Sequence, residues 1–336
     1  MASEVVGLVP VEHARDHLLA VPRTPGTARV PLEVLAAGWF PASAWERPPG
    51  GEPEVRPMAG ARFRGMVSDD VALPGILRLT EGVTVVGPFP LTAPQTQALD
   101  LASATAEIYA VTLDEPRDRS GPVQPVDDRD GLGRVFADGW PSETELGVVR
   151  WMIAAARRAG GAVVIDGRTH LTPDPSASVD LTLFSAQALD PQSALGVLRT
   201  VIATSQITGV EERPDGPSDY LVTGESSYDG ALEMLVQRVQ VVPQSLAALE
   251  WREYGPFAYR LSWRPSDPYE LEAEHPSGVH VIARTRMRAS VARLAAMLQG
   301  RIGGTLVDEG GFVVGAHDLE ERLHPTSAPP SSRFRV

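Results

Sequence analysis

Two stretches of this chain align without a gap: Glu145–Gly167, ELGVVRWMIAAARRAGGAVVIDG, and Arg288–Gly310, RASVARLAAMLQGRIGGTLVDEG. The alignment sets Gly160-Gly161 over Gly303-Gly304 and Asp166-Gly167 over Glu309-Gly310. Each copy reads as a helix, a glycine corner, a short apolar strand and an acidic-Gly turn. Leu146, Val149, Ile153 and Ala156 recur at helical spacing in the first, as do Val291, Leu294, Ala295 and Leu298 in the second, so each helix has an inner face. Glycine ends both helices because it enters the left-handed conformation of a C-terminus without the penalty that a Cβ imposes. The pair predicts a duplicated α+β unit.

Outward from the first copy, Glu107–Leu113 (EIYAVTL) alternates as a half-buried strand should. An acidic loop, 114–131, leads to an expected second strand at 133–138. Ser142-x-x-Glu145 behind Pro141 is a capping box that opens the helix. Around the second copy, Tyr259–Trp263 and Gly278–Thr285 read as strands. Between the copies, Val179–Phe184 is a strand, and Asp190-Pro191 starts a helix through Ile202 with aspartate as N-cap and proline at the first helical position. Tyr220–Thr223 is a strand. Leu232–Val242 has a competing helical reading, but Asp229-Gly230 signals a hairpin and the run carries Val236, Val239, Val241 and Val242 before Pro243, so strand wins. With a short helix at 244–251, the order becomes βαββαβ, the split βαβ of a ferredoxin-like fold.

Residues 1–80 are Pro/Gly-rich and weakly periodic, with a short helix over Pro31–Ala37 and a linker at 47–57. Val83–Val86 reads as a strand, and Thr92-x-x-Gln95 as a second capping box. The expected fold class is α+β: tandem ferredoxin-like or ββαββ units with mainly antiparallel sheets and an internal duplication. The expected organisation is an N-terminal arm or small subdomain over 1–80, a first α+β unit over 81–176, a middle ferredoxin-like unit over 177–255 and a second copy over 256–315. A tail over 316–336 is expected to be mobile beyond one short helix at 317–323.

Composition limits the chemistry. Across 336 residues there is no cysteine, lysine or asparagine. Thiolate metal sites, disulfides, thiol nucleophiles, Schiff-base lysines and the Walker-type phosphate lysine are therefore excluded. The missing lysine and asparagine fit the codon bias of a high-GC bacterial genome. A net charge of −13 makes nucleic acid an unfavourable partner, because phosphate binding needs a surplus of basic residues on one face. No stretch approaches the roughly 20 apolar residues of a spanning helix, and no basic region precedes an apolar run at the start, so a cytoplasmic location without a membrane partner is expected. Nucleophile-elbow, dinucleotide and metalloprotease signatures are absent.

The histidines and carboxylates are the remaining candidates. His13 and His17, and His317, Glu320, Glu321 and His324, have the spacing of residues on one helix face, and His280 reads as a strand residue. Asp127, Asp128, Asp130, Asp166 and Asp174 form acidic runs for which solvated surface is the default. His170 differs: the second copy carries Val313 in its place. The candidate ligand-binding residues are accordingly Asp166, Arg168, His170 and Asp174, with no catalytic residue, metal or cofactor assigned. The expected function is a non-catalytic scaffold or binding protein for a protein partner or small ligand, or a homo-oligomer. The alternatives are a metal-assisted hydrolase with a His/Asp site and an assembly subunit with a wrapping N-terminal arm.

Overall fold

The computed structural model describes residues 7–23, 30–50, 73–115, 117–121, 128–212 and 219–324. Most of the linker expected at 47–57, the tail beyond His324, and Asp127 lie outside them. The fold is α+β and divides into two compact units, the first over Met1–Pro125 with Asp130–Pro175, the second over Val126–Arg129 with Ser176–Val336.

The first unit contains β1 (His17–Pro22), α1 (Leu32–Ala37), β2 (Ala44–Arg47), β3 (Gly75–Thr80), β4 (Val83–Leu91), α2 (Ala93–Ala98), β5 (Ala106–Leu113), α3 (Leu132–Val135), α4 (Glu143–Ala159), β6 (Ala162–Ile165) and β7 (Thr169–Leu171). Its strands form one antiparallel sheet in the order β2-β3-β4-β5-β1-β6-β7. β1 lies inside that sheet, and its HLLAVP is buried nearly throughout. A strand covered on both faces has no reason to alternate, which is why it carries no period-two signal. α4 packs on β1 and β6, and the Trp151 indole N–H on its buried side donates to the Leu35 carbonyl at 2.9 Å.

The second unit contains β8 (Leu181–Ser185), α5 (Pro191–Arg199), β9 (Gln206–Glu211), β10 (Asp219–Ser226), β11 (Gly230–Arg238), α6 (Trp251–Tyr254), β12 (Phe257–Arg264), α7 (Gly278–Ile302), β13 (Thr305–Asp308) and α8 (Ala316–Leu323). The sheet order is β13-β8-β12-β11-β10-β9, again antiparallel throughout. The Asp229-Gly230 hairpin forms as expected, pairing Tyr220 with Val236 and Thr223 with Glu233. The ferredoxin-like order does not. A split βαβ would set β8 between β11 and β12, whereas β13 holds the place of β11, β11 lies beyond β12, and β9 adds a strand to make a β9–β12 meander.

Both sheets share one connectivity. Strand, helix, four-strand meander, long helix and a strand pairing with the first run in the same order in each unit, with β1 corresponding to β8, β2–β5 to β9–β12, α4 to α7, and β6 to β13. The duplication is thus a whole unit, and the aligned helix-Gly-Gly-strand stretch is its last part. Register confirms the local match: Val164 opposes His170 in the first copy, and their aligned residues Val307 and Val313 oppose each other in the second. Gly160 (φ 64°) and Gly303 (φ 65°) both cap their helices in the left-handed region. A Cβ on Gly160 would meet open space, so Gly160→Ala carries only the backbone strain, about 1 kcal/mol in a denaturation measurement.

Two expected strands are helical. Leu132–Val135 is a short helix in place of the strand at 133–138. Gly278–Thr285 begins α7, where Ser277 accepts the His280 N–H and His280, Ala283, Arg284, Met287 and Val291 are buried at helical spacing. The β-branched Val279, Val281 and Ile282 suggested a strand, but Val279 and Ile282 face solvent.

Candidate metal centre

At one end of the first sheet, the start of β1, the start of α4 and the β6–β7 turn bring three potential ligands together. His17, Glu145 and Asp166 each offer one donor atom, all within 4.8 Å of one another. His17 is the first residue of an interior strand and Glu145 sits in the first turn of α4, so both side chains are buried, at 0 and 1% exposure. Asp166 follows β6 at φ 54° with its side chain 38% exposed. Such a backbone conformation is uncommon outside glycine and clusters at functional positions. Gly167 continues the left-handed turn, where a Cβ would overlap the Ala14 carbonyl.

Hydrogen bonds assign the histidine tautomer. His17 Nε2 lies 2.9 Å from Glu145 Oε1, and the Asp166 N–H donates to Nδ1 at 3.3 Å. Nδ1 is then the acceptor and Nε2–H the donor, which is the neutral imidazole. Arg119 bridges both carboxylates: Nη2 is 2.7 Å from Glu145 Oε1 and 3.0 Å from Asp166 Oδ2. Arg117 pairs with Asp166 and lies 3.7 Å from Asp16. The Arg119 guanidinium carbon lies over the Phe136 ring, 4.6 Å from its centroid, a cation–π contact. Two buried polar atoms are left without a partner in this network, Glu145 Oε2 and Arg119 Nη1. Each is a buried group whose hydrogen-bonding capacity goes unused, and such atoms call for an explanation.

Of the four residues expected at a site, Asp166 alone belongs to this cluster. Arg168 is exposed in the turn, His170 is half-buried on β7 opposite Val164, and Asp174 is exposed. His13 and His17 do not share a helix face: His13 is in a 3-10 turn, bonded to Asp16 at 2.8 Å, and His17 is in a strand. Asp130 is held by Arg157 at 2.5 Å, apart from the Asp166 cluster. Glu145 was legible only as a capping residue. Ser142 does accept the Glu145 N–H at 3.4 Å, but the carboxylate turns away to His17 and Arg119.

The duplicated unit supplies an internal control. Strand register makes Asp180 the counterpart of Asp16, Leu181 that of His17 and Ser262 that of Thr112, and the aligned stretches set Glu309 over Asp166 and Arg288 over Glu145. The acidic pair, its hydroxyl partner and an arginine recur. Thr112 Oγ1 donates to Asp16 at 3.1 Å, Ser262 hydrogen-bonds Asp180, and Arg129 Nη1 pairs with Glu309 at 2.9 Å. In the second unit these groups secure backbone: Glu309 accepts the N–H groups of Val179 and Asp180 at 2.8 Å, and Asp180 that of Trp263 at 2.9 Å. They line an open cavity of about 330 Å³ with Arg260 and Leu271. What the second unit lacks is the imidazole and the buried carboxylate. His17 and Glu145 are therefore what the first copy has beyond the shared scaffold.

Burial, and then the neighbouring Glu309 charge, push the Asp180 carboxyl up to about 6. Its folded value is thus above the ~3.9 of an unfolded aspartate, so the native state binds the extra proton and stability falls as pH rises from about 4 to 6. Asp180→Asn keeps an oxygen for the Trp263 N–H and removes the charge. It is expected to stabilise the protein at pH 8 by on the order of 1–2 kcal/mol and to give no gain below pH 4, read from denaturant midpoints at both values. An equal effect at the two pH values would contradict the assignment.

No helix among the described residues is long and apolar enough to cross a membrane. No protein-family model, curated protein or solved structure matches this chain, so its functional reading rests on the geometry of His17, Glu145 and Asp166.

Proposed function

We propose that the first unit binds a divalent cation through His17, Glu145 and Asp166 and uses it for metal-assisted hydrolysis. The observation that carries this is the buried, unpartnered Oε2 of Glu145 beside an imidazole and a second carboxylate. One nitrogen and two oxygen donors suit Zn²⁺ or Mn²⁺ and leave coordination positions open for water. The cation would lower the pKa of that water and supply a nucleophile near neutral pH. Arg119 Nη2, placed between the two carboxylates, occupies the kind of position a cation favours. The scaffold reading has no comparable observation behind it.

The test is metal uptake by the full chain after chelation, followed by dialysis against Zn²⁺ or Mn²⁺ and elemental analysis. One equivalent per chain is expected. Asp166→Asn keeps a residue that tolerates positive φ, and His17→Leu installs the residue of the second copy. Each is expected to weaken uptake about 10–100-fold or more, because a ligand is lost outright. Substoichiometric metal in the wild type, or unchanged uptake in both variants, sinks the reading. Metal-stimulated cleavage of a chromogenic ester tests the hydrolytic part separately.

A further inference from the structure

We infer that this site takes the oxyanion group of a small molecule, a phosphate or a carboxylate, on the free edge of the Arg119 guanidinium; the inference rests on the metal reading above. The two arginines have different standing. Arg117 holds Asp166 much as Arg129 holds the corresponding Glu309, so an arginine on that carboxylate is common to both copies. Arg119 reaches further, to Glu145, which the second copy lacks.

Arg119 spends Nη2 on the two carboxylates and leaves Nη1 buried with no acceptor. A guanidinium N–H in that condition has lost its water and gained nothing, and an arriving oxygen would satisfy it. The two orphaned atoms thus ask for opposite charges: Glu145 Oε2 for a cation, Arg119 Nη1 for an anion. Charge balance agrees. Asp16, Glu145 and Asp166 oppose Arg117 and Arg119, which with neutral His17 leaves one net negative charge; a divalent cation reverses it to one net positive. A partly buried excess positive charge favours anion uptake. Nη1 itself is buried, so the anion would enter from the outer side of the cluster, where the Arg119 side chain is 26% exposed and that of Asp166 38%.

The experiment titrates the full chain, with and without Mn²⁺, calorimetrically with phenylphosphonate, benzoate and neutral benzamide. An anion is expected to bind and benzamide not, with affinity about tenfold or more higher when Mn²⁺ is present, as coupled sites require. The tighter of the two anions identifies the group. Arg119→Gln is expected to abolish anion binding while taking up Mn²⁺ at least as well as the wild type, since the guanidinium no longer competes for the carboxylates. Should Arg119→Gln not fold, Arg119→Lys carries the test: it keeps the charge, loses the planar fork and should weaken the anion about tenfold. Mn²⁺ uptake without preference for either anion over benzamide overturns the inference and leaves the metal site standing, as does unchanged anion affinity in the folded Arg119 variant. Failure of Mn²⁺ uptake, seen before any anion is added, removes both.

Discussion

Glu145→Ala is expected to destabilise the first unit by about 3–5 kcal/mol, because it removes one member of a buried charged network and strands its partners. His17 Nε2–H loses its fully buried acceptor on Oε1, and Arg119 Nη2 is left with Asp166 alone. Glu145→Gln keeps an oxygen for the imidazole and for the guanidinium. It should cost less, about 1–2 kcal/mol, the difference between a charged and a neutral acceptor. Urea denaturation of both variants decides the point, with the second unit serving as a reference transition if the two units melt separately. A loss under 1 kcal/mol for Glu145→Ala would mean that water enters the network and that the unpartnered Oε2 is already hydrated.

Gly304→Ala should be among the most damaging single-methyl additions in the second unit. Gly304 has φ 110°, a conformation side chains rarely adopt, and an added Cβ would overlap the Phe184 carbonyl oxygen. Neither can relax cheaply, since Thr305 of β13 pairs with Phe184 of β8 in the next step of the ladder. Backbone strain together with a broken strand register predicts a loss of roughly 3 kcal/mol or more. Gly300→Ala, four residues earlier on α7, is the matched control. A Cβ there meets nothing within 4 Å, so alanine should stabilise by up to ~1 kcal/mol through helix propensity. The pair separates left-handed geometry and close approach from glycine's intrinsic flexibility, and equal shifts in melting temperature would refute the distinction.

The helix-Gly-Gly-strand repeat was legible because each of its signals is local. Capping at Ser142, the left-handed glycines, the apolar strand and the acidic turn need only neighbours in sequence. The Asp229-Gly230 hairpin was legible for the same reason. Gly278–Thr285 misled because Val279, Val281 and Ile282 favour strands on their own, while the helical stripe of His280, Ala283, Arg284 and Met287 completes itself only over a longer window. The ferredoxin-like order failed because βαββαβ connectivity is compatible with more than one strand order. Which strands flank β8 depends on long-range pairing, and β13 took the place of β11.

The candidate site shows the same division. His17 stood in a weakly periodic segment, Glu145 carried a capping signal, and Asp166 belonged to a turn, so three unrelated local roles hid one shared location. By itself the sequence determined the α+β class, the duplicated helix-glycine-strand corner, the hairpin at Asp229-Gly230, and the absence of thiol and lysine chemistry, all of which rest on composition or on spacings of a few residues. Only the tertiary structure decided that β1 is an interior strand, that the duplication spans a whole unit, and that His17 meets Glu145 across 128 positions of chain. Such pairings arise from burying two sheet faces at once, a condition on distant residues that no local pattern records.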